Sequence, residues 1–534
     1  MKKLRVISFI LVVVLVAGLF AGCKKKNTVG ENELIWYTTM DVAPDTERVL
    51  KKFNDRLEEL TGCRVKFVNI DNAQYDLRFS SGEEFDLIYA PDHGGYWLNA
   101  PKGAFMEITE EDFKKYAPYI WEHGKEQLDV AKYNGKYYGI PAIGESWTAD
   151  RCYGVRGDLM DKYGIETLDT VEDIDKYLMA VAKGRQNGET NIIPYNINGG
   201  VGYMIFVMFA ADWGWGNPGS LSYGSHYYYD LFDKDYKLFL ALDKPETREF
   251  SLTAKKWYDN GVFSKSVLSN EVSSEEAFRN GKSAFAWINS PAVGNQLIND
   301  MAKVPEAKDW DIRFYSVYQK YQRAFNYMNY GTAISATSKK KDKALKVLNA
   351  ILSDKELYYM LQYGEEGKHF EITDAGYSPI DVEDKDTYTP PYVSIRNTAF
   401  DFETKYDYPY AEDLVAELKN KTVEDPLVNC PIHAEAGEAE VMLTRLTEIY
   451  NEFSQARMYG AVDDVDKAMK TEKEALKAAG VDDYLKIVQK QVDAYIDGHP
   501  EAMERFEESK KNVTKYLKEN PKKTNPKDPK YQTK

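Results

Sequence analysis

A chain of 534 residues, 43% of them hydrophobic, is long enough to fold into two or three domains with substantial cores. Its formal charge of −16 at pH 7 disfavours nucleic acid as a partner. The cysteines are Cys23, Cys63, Cys152 and Cys430, too few and too scattered for a disulfide framework, although a single bridge among the last three stays open.

Lys2, Lys3 and Arg5 precede an almost wholly apolar run from Val6 to Phe20. The run is about 15 residues long where a membrane-spanning helix needs ~20, and it closes on small residues. Residues 1–22 therefore read as a secretion signal. Ala21-Gly22-Cys23 resembles the lipobox of bacterial lipoproteins, which implies acylation of the Cys23 thiol by palmitate and a lipid-anchored linker over residues 23–32. Lys24, Lys25 and Lys26 would then lie against anionic headgroups, worth ~1 kcal/mol each.

Beyond the linker, Leu34–Tyr37 reads as a buried strand, and Val49, Leu50, Phe53, Leu57 and Leu60 as one face of a helix that Gly62 stops. "CRVKFVNI" gives a second strand, Tyr75–Phe79 a short helix and Phe85–Ala90 a third strand. This β-α-β-α-β order starts a mostly parallel sheet, whose ligands sit beyond the strand C-termini, here Thr38–Asp41 and Pro91–Gly94. Tyr133–Ala142 reads as a turn and strand, Asp158–Val181 as a turn leading to a helix, and residues 191–230 as a loop-rich stretch. A turn at Asn280-Gly281 opens a strand that delivers Trp287 to a loop. "YMNYGTAIS" reads as a strand, and the helix from Lys341 carries Ala344, Leu345, Leu348, Ile351 and Leu352 on one face. The last third is helical, with one stripe of Met442, Leu446, Ile449 and Phe453 and another of Leu485, Val488, Val492 and Tyr495. Prolines and lysines from Pro521 onward predict a disordered tail.

The order and spacing of "NGKYYGIPA", "DLMDKYGIETLDTVEDIDKYL" and "FRNGKSAFAW" resemble extracellular solute-binding proteins of carbohydrate ABC importers, family 1. "YGEEGKHF" (Tyr363–Phe370) and "LKAAGVDDYLKIVQKQVDAYI" (Leu476–Ile496) resemble its YtcQ/LipO-like branch. The resemblance implies an α/β, two-lobed periplasmic-binding-protein-like (class II) fold with discontinuous lobes and a helical C-terminal part. Residues 33–145 plus 335–395 would form the N-terminal lobe and residues 150–328 plus 400–498 the C-terminal lobe. Residues 499–534 would be an extension, disordered from about 520. Crossings between lobes are expected near Gly144–Arg156, Asn326–Ser335 and Tyr392–Phe402. The implied function is that of a monomeric, membrane-tethered substrate-binding protein on the extracellular face of the bacterial cytoplasmic membrane. It would capture an oligosaccharide in the interlobe cleft and deliver it to an ABC permease, without a cofactor and without being an enzyme.

Forty tyrosines and nine tryptophans suit a carbohydrate surface, because a phenol or indole offers a flat apolar face to a pyranose and a polar group to its hydroxyls. The clusters Tyr227–Tyr229 and Tyr406–Tyr410 read as partly exposed. Trp287 is the leading stacking candidate, with Trp213 and Trp215 beside it; packing in a core is the alternative for each. For the polar side of a sugar site, strand ends and crossings offer Asp41, Asp92, Glu145, Asn196, Asn326 and Arg396. Glu366 reads as a turn residue. "GWGNPG" (Gly214–Gly219) matches a dinucleotide fingerprint only formally, since Trp215 and Pro218 interrupt it. No catalytic motif stands out, and His93, His226, His369 and His433 are scattered without ligand spacing. Asp381, Asp384 and Asp386 lack the glycine and terminal glutamate of an EF-hand loop and read as solvated. Two readings remain beside the sugar receptor: a peptide receptor of the same architecture, and a surface polysaccharide-degrading enzyme, for which no diagnostic carboxylate pair is evident.

Overall fold

Two separate sheets organise the chain, as the computed structural model shows. It describes residues 30–531 apart from 40–41, 72–73, 146–150, 220–226, 318–319, 374–375, 403–404 and 433–437. The secretion signal, Cys23, Asp41, His226 and His433 therefore lie outside the described residues.

In chain order the strands that matter are β1 (Glu33–Thr38), β2 (Arg64–Asn69), β3 (Leu87–Tyr89), β4 (Cys152–Arg156), β5 (Phe285–Ile288), β6 (Ile312–Ser316) and β7 (Thr332–Ile334). The first sheet has the order β7-β3-β1-β2. Its β1 pairs in parallel with β2, Trp36 opposite Phe67, and with β3, Trp36 opposite Leu87. The distant β7 closes the edge antiparallel, Ala333 opposite Ile88. Such a central parallel strand is covered on both faces, and Leu34 and Trp36 on one face and Tyr37 on the other are accordingly buried in separate clusters. The helix Thr46–Thr61 covers one face with Val49, Phe53 and Leu57 and ends at Gly62, whose φ of 69° makes the left-handed cap a side chain would oppose. The second sheet, β5-β4-β6, is antiparallel and centres on the fully buried β4, with Tyr153 opposite both Trp287 and Tyr315.

Apolar side chains divide along the same line. Those of residues 34–143 and 328–402 pack around the first sheet. Those of residues 152–317 and 406–531 pack around the second and its helical annex. The molecule thus has two lobes, each assembled from separate stretches of chain. The second crossing is pinned to both: Asn326 Nδ2 donates to the Val428 carbonyl at 2.7 Å in one lobe, and Ala142 N donates to the Tyr327 carbonyl at 3.0 Å in the other.

Several expectations are corrected. The first part of Asp158–Val181 is a short helix, Gly157–Lys162; the second helix, Val171–Gln186, starts at a Thr170/Asp173 capping box. Trp287 lies inside β5 and not in the loop after it. Tyr227, Tyr228 and Tyr229 are buried, because their short strand is covered on both faces, by Tyr484 and Tyr236 on one side and Phe206 and Trp215 on the other. Tyr408 and Tyr410 are buried as well, Tyr408 against Phe314. The helix Pro500–Glu519 puts Phe506 and Val513 into the same cluster as Val488 and Val492, so it is integral to the second lobe. The tail beyond it is ordered as far as residue 531. Composition suggested solvated lysines, but these find carboxylates: Lys527 pairs with Asp161 at 2.5 Å and Lys530 with Asp413 at 2.8 Å. Lys523 is buried and donates to the Ser316 carbonyl at 2.8 Å, and Tyr531 enters the core beside Tyr410.

"YGEEGKHF" forms a turn in which Glu366 bridges to Phe370 and buried His369 faces Asp45 at 3.1 Å. Cys63, Cys152 and Cys430 are buried, form no disulfide and fall in three different clusters. Among the described residues no helix is long and apolar enough to cross a membrane.

Candidate functional site

Between the lobes lies a cleft of about 1450 Å³, larger than the ~300–1,000 Å³ of sites for drug-sized ligands. The first lobe contributes Tyr330, Tyr358, Tyr363, Tyr377, Tyr392, Arg396 and Phe402; the second contributes Tyr203, Trp215, Tyr228, Trp287, Tyr321 and Tyr406. Arg323, Phe325 and Asn326, at and just before the second crossing, line the cleft as well, together with Arg151 of the first. Aromatic side chains thus stand on both walls. Most are only partly buried, Tyr392 being 38% exposed. Burial raises the phenols of Tyr358, Tyr363 and Tyr377, which keeps them protonated and able both to donate and to accept.

Local structure fixes the charged groups. Arg323 is held by Asp425 at 2.6 Å, Asn217 at 3.0 Å and the Tyr229 hydroxyl at 3.2 Å, and that hydroxyl also bonds to Asp425. Arg396 pairs with Asp401 at 2.7 Å and lies over the Tyr330 ring; burial opposes its charge, but the Asp401 hydrogen bond holds it protonated and raises its pKa. Arg151 bonds to the Asn289 side chain and sits between two rings, 5.7 Å from the Trp287 centroid and 5.4 Å from that of Phe325.

The structure distributes the sequence candidates unevenly. Trp287, Trp215, Asp92, Asn326 and Arg396 line the cleft. Trp287 is only 7% exposed, belongs to the second lobe's core and packs edge-on against Tyr153. Asp92 lines the cleft with its carboxylate shielded: Oδ1 accepts from the His93 backbone N–H at 2.6 Å, and Oδ2 is buried with no hydrogen-bond partner among the described residues. Both ends of the Asn326 amide are used internally, by the Val428 carbonyl and the Met328 N–H, so it holds the crossing in place. Trp213, Glu145 and Asn196 do not line the cleft. Trp213 caps a helix and packs on Phe206, Phe209 and Trp215. Glu145 is exposed at the start of the first crossing, and Asn196 is tied to Asn270 and Ser283. Sequence reasoning missed Arg151, Arg323, Phe325 and the cleft tyrosines other than Tyr228 and Tyr406, although Arg151, Tyr330 and Tyr392 fall inside the expected crossings. No group of three or more His, Cys, Asp or Glu among the described residues is disposed to hold a metal ion.

A family model described as bacterial extracellular solute-binding protein matches residues 43–357, and one for a domain of unknown function, DUF3502, matches residues 439–497. A carbohydrate ABC transporter substrate-binding protein of Streptococcus pneumoniae serotype 4 is 24% identical over 507 residues, 91% of this chain and 96% of that protein. Among solved structures, the N-glycan transport solute binding protein (NgtS) of S. pneumoniae in complex with Man5GlcNAc matches with a TM-score of 0.63 at 22% identity, over 88% of this chain and 99% of that one. The alginate-binding protein AlgQ2 without calcium ion matches with a TM-score of 0.64 at 16% identity, over 88% and 100%. FusA of S. pneumoniae in complex with kestose gives a TM-score of 0.61 at 18% identity, over 87% and 99%.

Proposed function

The chain belongs to the bacterial extracellular solute-binding protein family, and on that premise we propose that it is the oligosaccharide receptor of an ABC importer. The observation that carries this is the cleft of about 1450 Å³ with aromatic side chains on both walls. Rings facing one another across a gap can stack on successive sugar units while their hydroxyls and the cleft's amides and guanidinia bond to the sugar hydroxyls. The three crossings let the lobes close on a captured chain and exclude water from these bonds. The names of the similar proteins support a sugar over a peptide.

The finer reading is that Cys23 carries the lipid, that the receptor works as a monomer on the outer face of the cytoplasmic membrane, and that it belongs to the YtcQ/LipO-like branch. We divide the lobes as residues 33–145 plus 327–402 and 151–326 plus 405–498, with the helix Pro500–Glu519 added to the second; the expected bounds at 328, 335, 395 and 400 shift because Thr332–Ile334 pair with β3 and Phe400 and Phe402 pack in the first lobe. Trp287 and Trp215 serve as walls on that lobe and Arg396 as a polar contact on the other.

A glycan array on residues 27–534, followed by calorimetry, tests the receptor reading. Saturating ligand at ~100 times its dissociation constant should add about 2.7 kcal/mol to the native state, and the sugar should be recovered intact. Binding of peptides but no glycan, or release of new reducing ends, overturns it.

A further inference from the structure

We propose that the saccharide taken by this cleft is acidic, and that Arg151 binds its carboxylate or sulfate group; this rests on the receptor reading above. The cleft's other two arginines are already neutralised, Arg323 by Asp425 at 2.6 Å and Arg396 by Asp401 at 2.7 Å. Arg151 makes no ion pair among the described residues; its hydrogen bond goes to Asn289, which is neutral. The rings of Trp287 and Phe325, 5.7 and 5.4 Å away, fix the guanidinium in place but supply no counter-charge.

The acidic groups facing the cleft do not complete it. Asp92 has its carboxylate shielded beside His93, Asp401 is engaged by Arg396, and Glu412 is exposed on the same helix as Lys419, which also lines the cleft. In a chain of charge −16, this leaves a half-buried, pre-positioned cation lining the cleft whose remaining donors match the paired oxygens of a carboxylate or sulfate. A neutral sugar could accept hydrogen bonds from it, but only an acidic one would also neutralise the charge as closure removes water.

The probes are tetragalacturonate, a mannuronate tetrasaccharide and a chondroitin sulfate tetrasaccharide, each titrated calorimetrically beside its methyl-esterified or desulfated counterpart. At least one acidic probe should bind about tenfold or more tightly than its neutralised counterpart. The uronates and the sulfated probe tell carboxylate from sulfate. Arg151→Gln should abolish the preference, and Arg151→Lys should keep part of it through the charge alone. Should Arg151→Gln lower the ligand-free melting temperature, the wild-type comparison of each acid with its ester still decides. Equal affinity for acidic and neutralised probes, or a preference that survives Arg151→Gln, overturns the proposal while leaving a sugar receptor. Binding of no saccharide overturns both.

Discussion

Replacing Trp287 by alanine should damage both stability and binding. The indole is only 7% exposed, within a buried strand and packed on Tyr153. Truncating a core tryptophan typically lowers stability by ~3–5 kcal/mol. Because one edge of the ring borders the cleft, water can enter the void, which places the expected loss near the lower end. The ring also braces Arg151, whose guanidinium carbon lies 5.7 Å from its centroid. Losing the wall and loosening the cation together should weaken sugar binding by roughly 1–3 kcal/mol, the usual range for a stacking contact. Trp287→Phe separates the two effects. Trp287 Nε1 has no hydrogen-bond partner among the described residues, so phenylalanine forfeits no such bond, and the loss of stability should shrink to about 1 kcal/mol while most of the affinity returns. Urea unfolding of the ligand-free protein, followed by circular dichroism, and calorimetric titration with a glycan identified on the array measure the two quantities. Wild-type stability of Trp287→Ala would refute its place in the core, and wild-type affinity would refute its place in the wall.

Burial lowers the Lys523 ammonium from 10.5 to about 7. Between those values the unfolded chain holds a proton that the native state has released, so this residue's contribution to stability rises with pH and its full penalty applies below pH 7. Lys523→Met should therefore be more stable than wild type at pH 6, with the advantage shrinking by about 1.4 kcal/mol per pH unit above 7; urea titrations at pH 6, 8 and 9 check this, and a pH-independent difference would count against it. Gly460 has a φ of +68°, and a Cβ there would lie 2.2 Å from the Ala254 carbonyl oxygen. Gly460→Ala should thus destabilise the second lobe by about 2 kcal/mol or more, read as a lowered melting temperature. Cys23→Ser should abolish incorporation of labelled palmitate in cells, and equal labelling of variant and wild type would remove the tether.

The parallel β1, β2 and β3 were legible because each is a short apolar run in a β-α-β-α-β order, with the helix between the first two marked by 3–4 spacing and Gly62. The partner on the open edge was not, since β7 reaches β3 from far along the chain and no local pattern encodes that pairing. The cleft was legible as a class of chemistry and much less as a set of residues. Tyr227 and Tyr392 carry the same side chain, yet one is 3% and the other 38% exposed, because Tyr227 is covered by Tyr484 from far along the chain while Tyr392 opens onto the cleft. Asn326 had the right chemistry at the right place, but neighbours along the crossing use both ends of its amide. In the tail, composition shows the lysines and not the carboxylates that wait for them on two helices far back in the chain.

Interleaving the two lobes along the chain constrains the order in which the protein can be made. As a nascent chain emerges, β3 exposes an unpaired edge until residues 332–334 arrive, and the helix Lys341–Ser353 that covers the sheet comes later still. The second lobe waits longer, for the helix Pro500–Glu519 and for Tyr531 at its core. Neither lobe is a contiguous piece that could ripen while the other is still being synthesised. Folding must therefore begin late, with much apolar surface held open in the meantime, a demand that falls on whatever chaperones receive the chain. An isolated first lobe would need residue 145 spliced directly to residue 327, so that the edge of β3 meets its partner without the detour.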